Sequence, residues 1–395
     1  MAVLLKLLKK YVKYYYFTVC SDSKCNGVNL MSVTNYRYVF VHGLCGWGHY
    51  DKQNKAMPYW GMRGGSLMNY LKAQGFDCYD ASVAPKGSAW DRACELYAQL
   101  TGSVVDYGKA HSEKYDHERF GKDFSSEPLI TDWSAENKIN ILGHSFGGAT
   151  VRLFAHILAY GSEEEQNATD SNELSPFFVG GKADWLYSLT TLSAPHNGTT
   201  AYSAREVLSQ FRTNIKPWNI KSKIKTIYTD VLVKFLYPDK NRRFEDTAEY
   251  DMYIDNALAL NEKIETLPNV YYFSYPTSCC EKEADGTYKP TGAPVENMFK
   301  ETSEIMGNHT GTTPNGFSFG ESWLDNDGLV NTFSAAAPFN APSTEFDSNK
   351  IETGIWNVMP TYNGDHMSLQ GGMLKTNDIR EFYRKHLTMI NKIGR

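Results

Sequence analysis

Residues 138–160 read KINILGHSFGGATVRLFAHILAY, and this stretch decides the fold. KINILGH (138–144) is a short apolar run, the pattern of a strand buried on both faces. ATVRLFAHILAY (149–160) has helical spacing and stops at Gly161. Between them lies Gly143-His144-Ser145-Phe146-Gly147-Gly148. A turn this sharp from strand to helix strains the backbone of Ser145 and demands small neighbours, which Gly143, Gly147 and Gly148 supply. It would hold the serine hydroxyl proud of the sheet edge, where the helix N-terminus favours negative charge. A bare G-x-S-x-G occurs often by chance. The strand before it and the helix after it make this one specific.

The same alternation continues outward. YRYVFV (36–41), FDCYDA (76–81), DWLYSLTTLSA (184–194) and VYYFSY (270–275) read as strands, with a helix around Leu67–Gln74. Strands alternating with helices predict an α/β protein with a mostly parallel sheet covered on both faces. Residues 84–130 form a polar, Tyr- and His-containing insertion between two strands. Residues 199–245 form another, in which Ile220, Ile224, Ile227, Val231 and Leu232 recur at helical intervals. Such a stripe is either core packing or, following a sheet strand, a mobile cover. Gly307–Gly320 is a Gly- and Thr-rich loop. The chain divides into a tail or leader over residues 1–30 and a main domain over 31–395.

Composition narrows the function classes. Hydrophobic residues make up 42% and charged residues 22%, which excludes a disordered chain. Forty basic against 45 acidic residues create no field to hold nucleic acid. No apolar run reaches the roughly 18 residues that a membrane span needs. Seven Cys without a C-x-x-C pair argue against a disulfide scaffold and a zinc ribbon. Cys20 and Cys25 could close a small loop, and the vicinal Cys279 and Cys280 read as two small hydrophobes. The opening MAVLLKLLKKYVKYYYFTVC is broken by Lys6, Lys9 and Lys10, so it fits a basic amphipathic segment as well as an export signal. Sequons at Asn167, Asn197 and Asn308 matter only in a secretory pathway.

A serine needs a base, and the base needs an orienting carboxylate. In a fold with this elbow the order is serine, acid, histidine. Four histidines lie well downstream, beyond the helix that follows the elbow. His196 comes too early, His309 sits in the Gly/Thr loop, and His386 lies in a terminal helical pattern and is expected at the surface. His366, in YNGDHM (362–367), occupies a turn-rich loop ahead of the last helix and is the expected base. The expected acid is Asp327, before the turn-forming Gly328 in LDNDGLVN (324–331), with Asp325 as its rival. The loop VHGLCGWG (41–48) after the first strand would supply one oxyanion amide at Leu44, and Phe146 the other. A phosphate loop is excluded there, since no Lys-Ser/Thr follows.

These segments resemble the secreted bacterial true lipases of the Geobacillus and Staphylococcus type (lipase family I.5 and its staphylococcal relatives). The resemblance runs from about Tyr38 to Tyr383. It rests on VHGLCGWG, WDRACE (90–95), DYG (106–108) through RFG (119–121), APHNGTT (194–200), and the Asp327 and Asp365-His366 loops. It implies an α/β-hydrolase fold, a Ser145–Asp327–His366 triad, and a triacylglycerol lipase or carboxylic-ester hydrolase acting through an acyl-enzyme at a lipid surface. A phospholipase A1 or short-chain carboxylesterase is the alternative, and a non-catalytic lipid-binding protein a remote one. It further implies a structural zinc held by Asp91, His111, His117 and Asp246, with Asp251 as the fallback fourth ligand. That donor set independently suits a closed Zn²⁺ site. Residues 84–130 would then be the zinc subdomain, residues 199–245 a lid, and the location extracellular. One departure stands out. MSLQGGM (367–373) lacks the carboxylates that follow the base in this family, so a calcium site is expected to be absent.

Overall fold

The computed structural model describes residues 36–203, 239–291, 297–372 and 376–393. The central sheet has seven strands: β1 (Arg37–Val41), β2 (Cys78–Ala81), β3 (Ile139–His144), β4 (Leu186–Leu192), β5 (Tyr271–Tyr275), β6 (Ser343–Glu345) and β7 (Trp356–Val358). Their spatial order is β6-β7-β5-β4-β3-β1-β2, and every neighbouring pair is parallel. The sheet is more regular than the sequence suggests. Its two shortest strands, β6 at one edge and β7 beside it, carry too few residues to show a period of their own.

Alternation along β1 explains the two cores. Val39 and Val41 pack on one face with Ile139, Ile141, Phe154 and Leu158. Tyr38 and Phe40 pack on the other with Leu142, Phe273, Tyr383 and Leu387. The first face is covered by α2 (Ala89–Thr101) and α4 (Phe146–Tyr160). The second is covered by α1 (Leu67–Ala73) and by the last helix, α6 (Arg380–Ile390), which comes after α5 (Asn297–Met306) in the chain. Thus α2, the first part of the 84–130 stretch, is a core helix, burying Ala93, Leu96 and Leu100. The remainder of that stretch holds α3 (Lys109–Tyr115) and a hairpin of Val104–Asp106 with Phe120–Asp123.

Helix α6 corrects one expectation. Tyr383, His386, Leu387 and Ile390 form its buried stripe, so His386 is inside, not at the surface. Its ring nitrogens meet Thr190 Oγ1 and Tyr275 Oη, both at 2.9 Å. Asn197 is likewise fully buried, with its amide donating to the Ala337 carbonyl at 2.8 Å, so that sequon is closed to glycosylation in the folded chain. The proposed lid stretch falls largely on residues 204–238, and the tail and the Cys20–Cys25 loop on residues 1–35, all outside the described residues. No helix among the described residues is long and apolar enough to cross a membrane.

The chain goes from β1 outward to β2, then returns through α2 to β3 on the other side of β1. This reversal opens a crevice at the carboxyl ends of β1 and β3, the usual binding position in an open parallel sheet. The Gly43 loop and Ser145 both sit there.

Candidate active site

Ser145 links β3 to α4 with φ 55° and ψ −131°, a conformation that side-chain-bearing residues rarely adopt. Its N–H donates to the Leu192 carbonyl at 2.8 Å, which fixes the turn to β4. The flanking glycines are required by close approach. A Cβ on Gly147 would lie 2.4 Å from the Val41 carbonyl oxygen, and one on Gly148 would lie 2.3 Å from Ala194 Cβ. The strained turn is therefore crowded by β1 backbone on one side and by the Ala194 methyl on the other.

Ser145 Oγ lies 2.8 Å from His366 Nε2, and His366 Nδ1 lies 2.9 Å from Asp327 Oδ2. The carboxylate can only accept, so Nδ1 carries the proton and Nε2 offers its lone pair to the serine. Asp327 is fully buried. Its Oδ1 accepts the Leu329 and Val330 amides at 3.0 and 2.8 Å, and its Oδ2 accepts the Thr277 hydroxyl at 2.6 Å. The rival, Asp325, instead accepts from the Ser278 hydroxyl. His309 and His196 stand elsewhere: His309 packs on Phe319, and His196 Nε2 meets Thr191 Oγ1 at 2.9 Å.

A second layer was not legible in the sequence. His144 Nε2 donates to the His366 carbonyl at 2.8 Å, so its Nδ1 must accept, here from Tyr59 Oη at 2.7 Å. Tyr59 Oη in turn accepts the Gly43 amide at 3.0 Å. One buried chain thus joins the loop after β1 to the backbone of the base. Burial, and then repulsion from His366, push the His144 imidazole down to about 3, so it stays neutral. His144 was visible only as a spacer within the elbow. Tyr59 belongs to no motif.

The expected oxyanion residues flank the serine. Phe146 opens α4, where first-turn amides have no intrahelical acceptor. The Leu44 amide has no acceptor among the described residues. Just before it, His42 pins the loop, with Nδ1 donating to the Gly43 carbonyl at 2.8 Å and Nε2 accepting the Val83 amide at 3.2 Å. A nucleophile bonded to its base, at a helix N-terminus and against the Gly43 backbone, can accomplish acyl transfer.

A separate cluster takes Asp91 from α2, His111 from α3, His117 from just beyond α3 and Asp246 from the turn Phe244–Asp246. Ligand atoms of Asp91, His111, His117 and Asp246 all fall within 4.8 Å of one another. His111 Nε2 stands 3.1 Å from Asp91 Oδ1 and 3.3 Å from Asp246 Oδ1. His117 provides the test of fit. Its Nδ1 donates to the Glu118 carbonyl at 2.9 Å, leaving a lone pair on Nε2. That buried Nε2 has no hydrogen-bond partner, yet it points between the carboxylates at 4.0 and 3.8 Å. Two imidazoles and two carboxylates so arranged suit a metal ion. Arg242 occupies the outer oxygens, pairing with Asp91 Oδ2 and, at 3.0 Å, with Asp246 Oδ2. Asp251 is not part of the set: its Oδ2 accepts the Ala89 amide at the start of α2.

A family model described as "Lipase-like, C-terminal domain" matches residues 34–391. The lipase of Staphylococcus hyicus is 34% identical over 356 residues, covering 85% of this chain and 53% of that protein. The chain spans about half the length of the curated relatives it matches. Among solved structures, EstA from Clostridium botulinum aligns with a TM-score of 0.78 at 30% identity, covering 93% of this chain and 90% of that one. The crystal structure of S. hyicus lipase aligns with a TM-score of 0.73 at 29% identity, covering 91% and 97%.

Proposed function

The chain belongs to this lipase-like family, and on that premise we propose that it hydrolyses carboxylic esters, triacylglycerols among them, through an acyl-enzyme on Ser145. The observation that carries the reading is the unbroken hydrogen-bonded line from Ser145 Oγ through His366 to Asp327. His366 Nε2 takes the serine proton as Oγ attacks the ester carbonyl. The Leu44 and Phe146 amides hold the oxyanion. Asp327 orients the imidazole and stabilises its charged form. The intermediate collapses, His366 returns the proton to the leaving alcohol, and the same base activates water for deacylation.

The Asp91, His111, His117 and Asp246 cluster would hold zinc in this reading. Four protein ligands leave no open position, so the ion would contribute structure and local charge balance. Well under one zinc per chain in dialysed protein contradicts that assignment. Transient contact with a lipid surface, and an extracellular setting, belong to the same proposal. Exposed Phe333 and Phe339, with ring centroids 5.2 Å apart, give an apolar patch near the Asp327 loop that suits such contact.

The test compares wild type with Ser145→Ala on p-nitrophenyl esters from C2 to C16 and on emulsified triolein. Long-chain and triolein activity that disappears in the variant is expected. Activity confined to short chains would favour a carboxylesterase. Hydrolysis that survives in the variant would overturn the reading.

A further inference from the structure

Arg92 is wholly buried, yet it makes no ion pair among the described residues. Its three side-chain hydrogen bonds go to neutral acceptors. Nη2 donates to the His42 carbonyl, Nη1 to the Ala84 carbonyl at 3.1 Å, and Nε to Thr150 Oγ1 at 2.9 Å. Thr150 Oγ1 in turn donates to the Phe146 carbonyl at 3.1 Å. The guanidinium carbon also lies 5.1 Å from the centre of the Phe146 ring. A buried cation with no carboxylate bonded to it is costly, even though the Glu95 charge offsets part of that cost, and an apolar side chain of similar volume would fill the space without the penalty. Packing alone does not account for an arginine here.

The bond pattern does. One planar fork grips both backbone segments that carry the expected oxyanion amides. On one side it holds the His42 peptide, two residues before Leu44. On the other it reaches Phe146 through Thr150 and through the ring. We infer that Arg92 is a positioning residue that fixes the spacing of the Leu44 and Phe146 amides. The inference rests on the ester-hydrolase reading and deepens it. Lysine cannot replace this fork, because a single ammonium does not reach three acceptors spread in one plane. Oxyanion donors act only if they sit where charge develops, so a loss of spacing raises the barrier with little effect on ground-state binding.

The test uses the whole chain with Arg92→Met, Arg92→Lys and Thr150→Val. Rates are taken per active site titrated with a p-nitrophenyl phosphonate. Soluble p-nitrophenyl butyrate is the substrate, and an alkyl trifluoromethyl ketone is the oxyanion mimic. For Arg92→Met, kcat should fall at least about ten-fold, short of the roughly 10²–10³-fold lost when a donor is removed outright. The ketone inhibition constant should rise in parallel while KM stays within about three-fold. Arg92→Lys should recover little of the loss, and Thr150→Val should show a smaller loss of the same kind. A purely structural role predicts fewer titratable sites with wild-type kcat per site and wild-type ketone affinity, and that result overturns the inference. Should Arg92→Met not fold, the other two variants decide, and wild-type kinetics in both overturn it. The two readings fail separately. Hydrolysis by Ser145→Ala would sink the ester-hydrolase assignment, whereas an inactive Ser145→Ala beside normal Arg92 variants would sink only this one.

Discussion

Asp327 and Asp325 are two residues apart and differ in what they touch. Asp327 faces His366 Nδ1, while Asp325 is held by Ser278. Asp327→Asn should therefore lower kcat by about 10³–10⁴-fold, because the amide no longer favours the productive imidazole tautomer. Asp325→Asn should keep activity within about ten-fold, since the Asn carbonyl can still accept the Ser278 hydroxyl and His366 Nδ1 keeps its partner. Equal losses in both would contradict the assignment of the acid. At this scale the sequence is informative where chemistry demands a residue type in a local context. Ser145 is marked by its glycines, and the Asp327 and His366 loops by turn residues. It is silent where a role depends on contact across the chain. Tyr59 reaches His144 over 85 positions, and Arg242 reaches Asp91 over 151. Neither has a local pattern to reveal it.

At the scale of elements, α2 serves two sites from successive residues. Asp91 faces the metal cluster and Arg92 the oxyanion segments. Loss of the metal should be felt first as stability. His117→Ala, or exhaustive chelation, should abolish metal retention and lower the unfolding midpoint by roughly 5 °C, the equivalent of about 2 kcal/mol in a domain of this size. Asp246→Asn should behave the same way, whereas Asp251→Asn should retain the metal. Full metal content in Asp246→Asn would place the fourth ligand elsewhere. Helix α6 offers a pH test. Burial pushes His386 down to about 3, below its unfolded value near 6.5. Between those values the unfolded chain binds the extra proton. The stability this residue contributes is therefore full above pH 6.5 and declines as the pH falls, by up to about 1.4 kcal/mol per unit. His386→Gln should flatten the fall of urea midpoint between pH 6.5 and 4, and an unchanged slope would contradict this. The expectation that His386 lies at the surface failed for a physical reason. The helical stripe it shares with Tyr383, Leu387 and Ile390 was apolar, and the imidazole finds Thr190 and Tyr275 inside.

Across the whole molecule, strand and helix alternation made the α/β class legible, because each long strand announces itself as an apolar run. The short strands Ser343–Glu345 and Trp356–Val358 did not, since three residues carry no period. The exposed Phe333 and Phe339 point to a whole-molecule property. Replacing both with Ser should reduce hydrolysis of emulsified triolein several-fold and leave soluble butyrate ester turnover within about two-fold, since area on a surface patch governs adsorption rather than chemistry. Equal losses on both substrates would contradict a role in surface contact. The central claim is narrower: Ser145, made nucleophilic by His366 and Asp327, is the residue that becomes acylated. The most direct measurement is peptide mapping by mass spectrometry after treatment with a p-nitrophenyl alkylphosphonate. One adduct per chain on the peptide containing Ser145, formed at least about 10³-fold more slowly in His366→Ala, is the predicted result. Labelling at another residue, or none while ester hydrolysis proceeds, would contradict it.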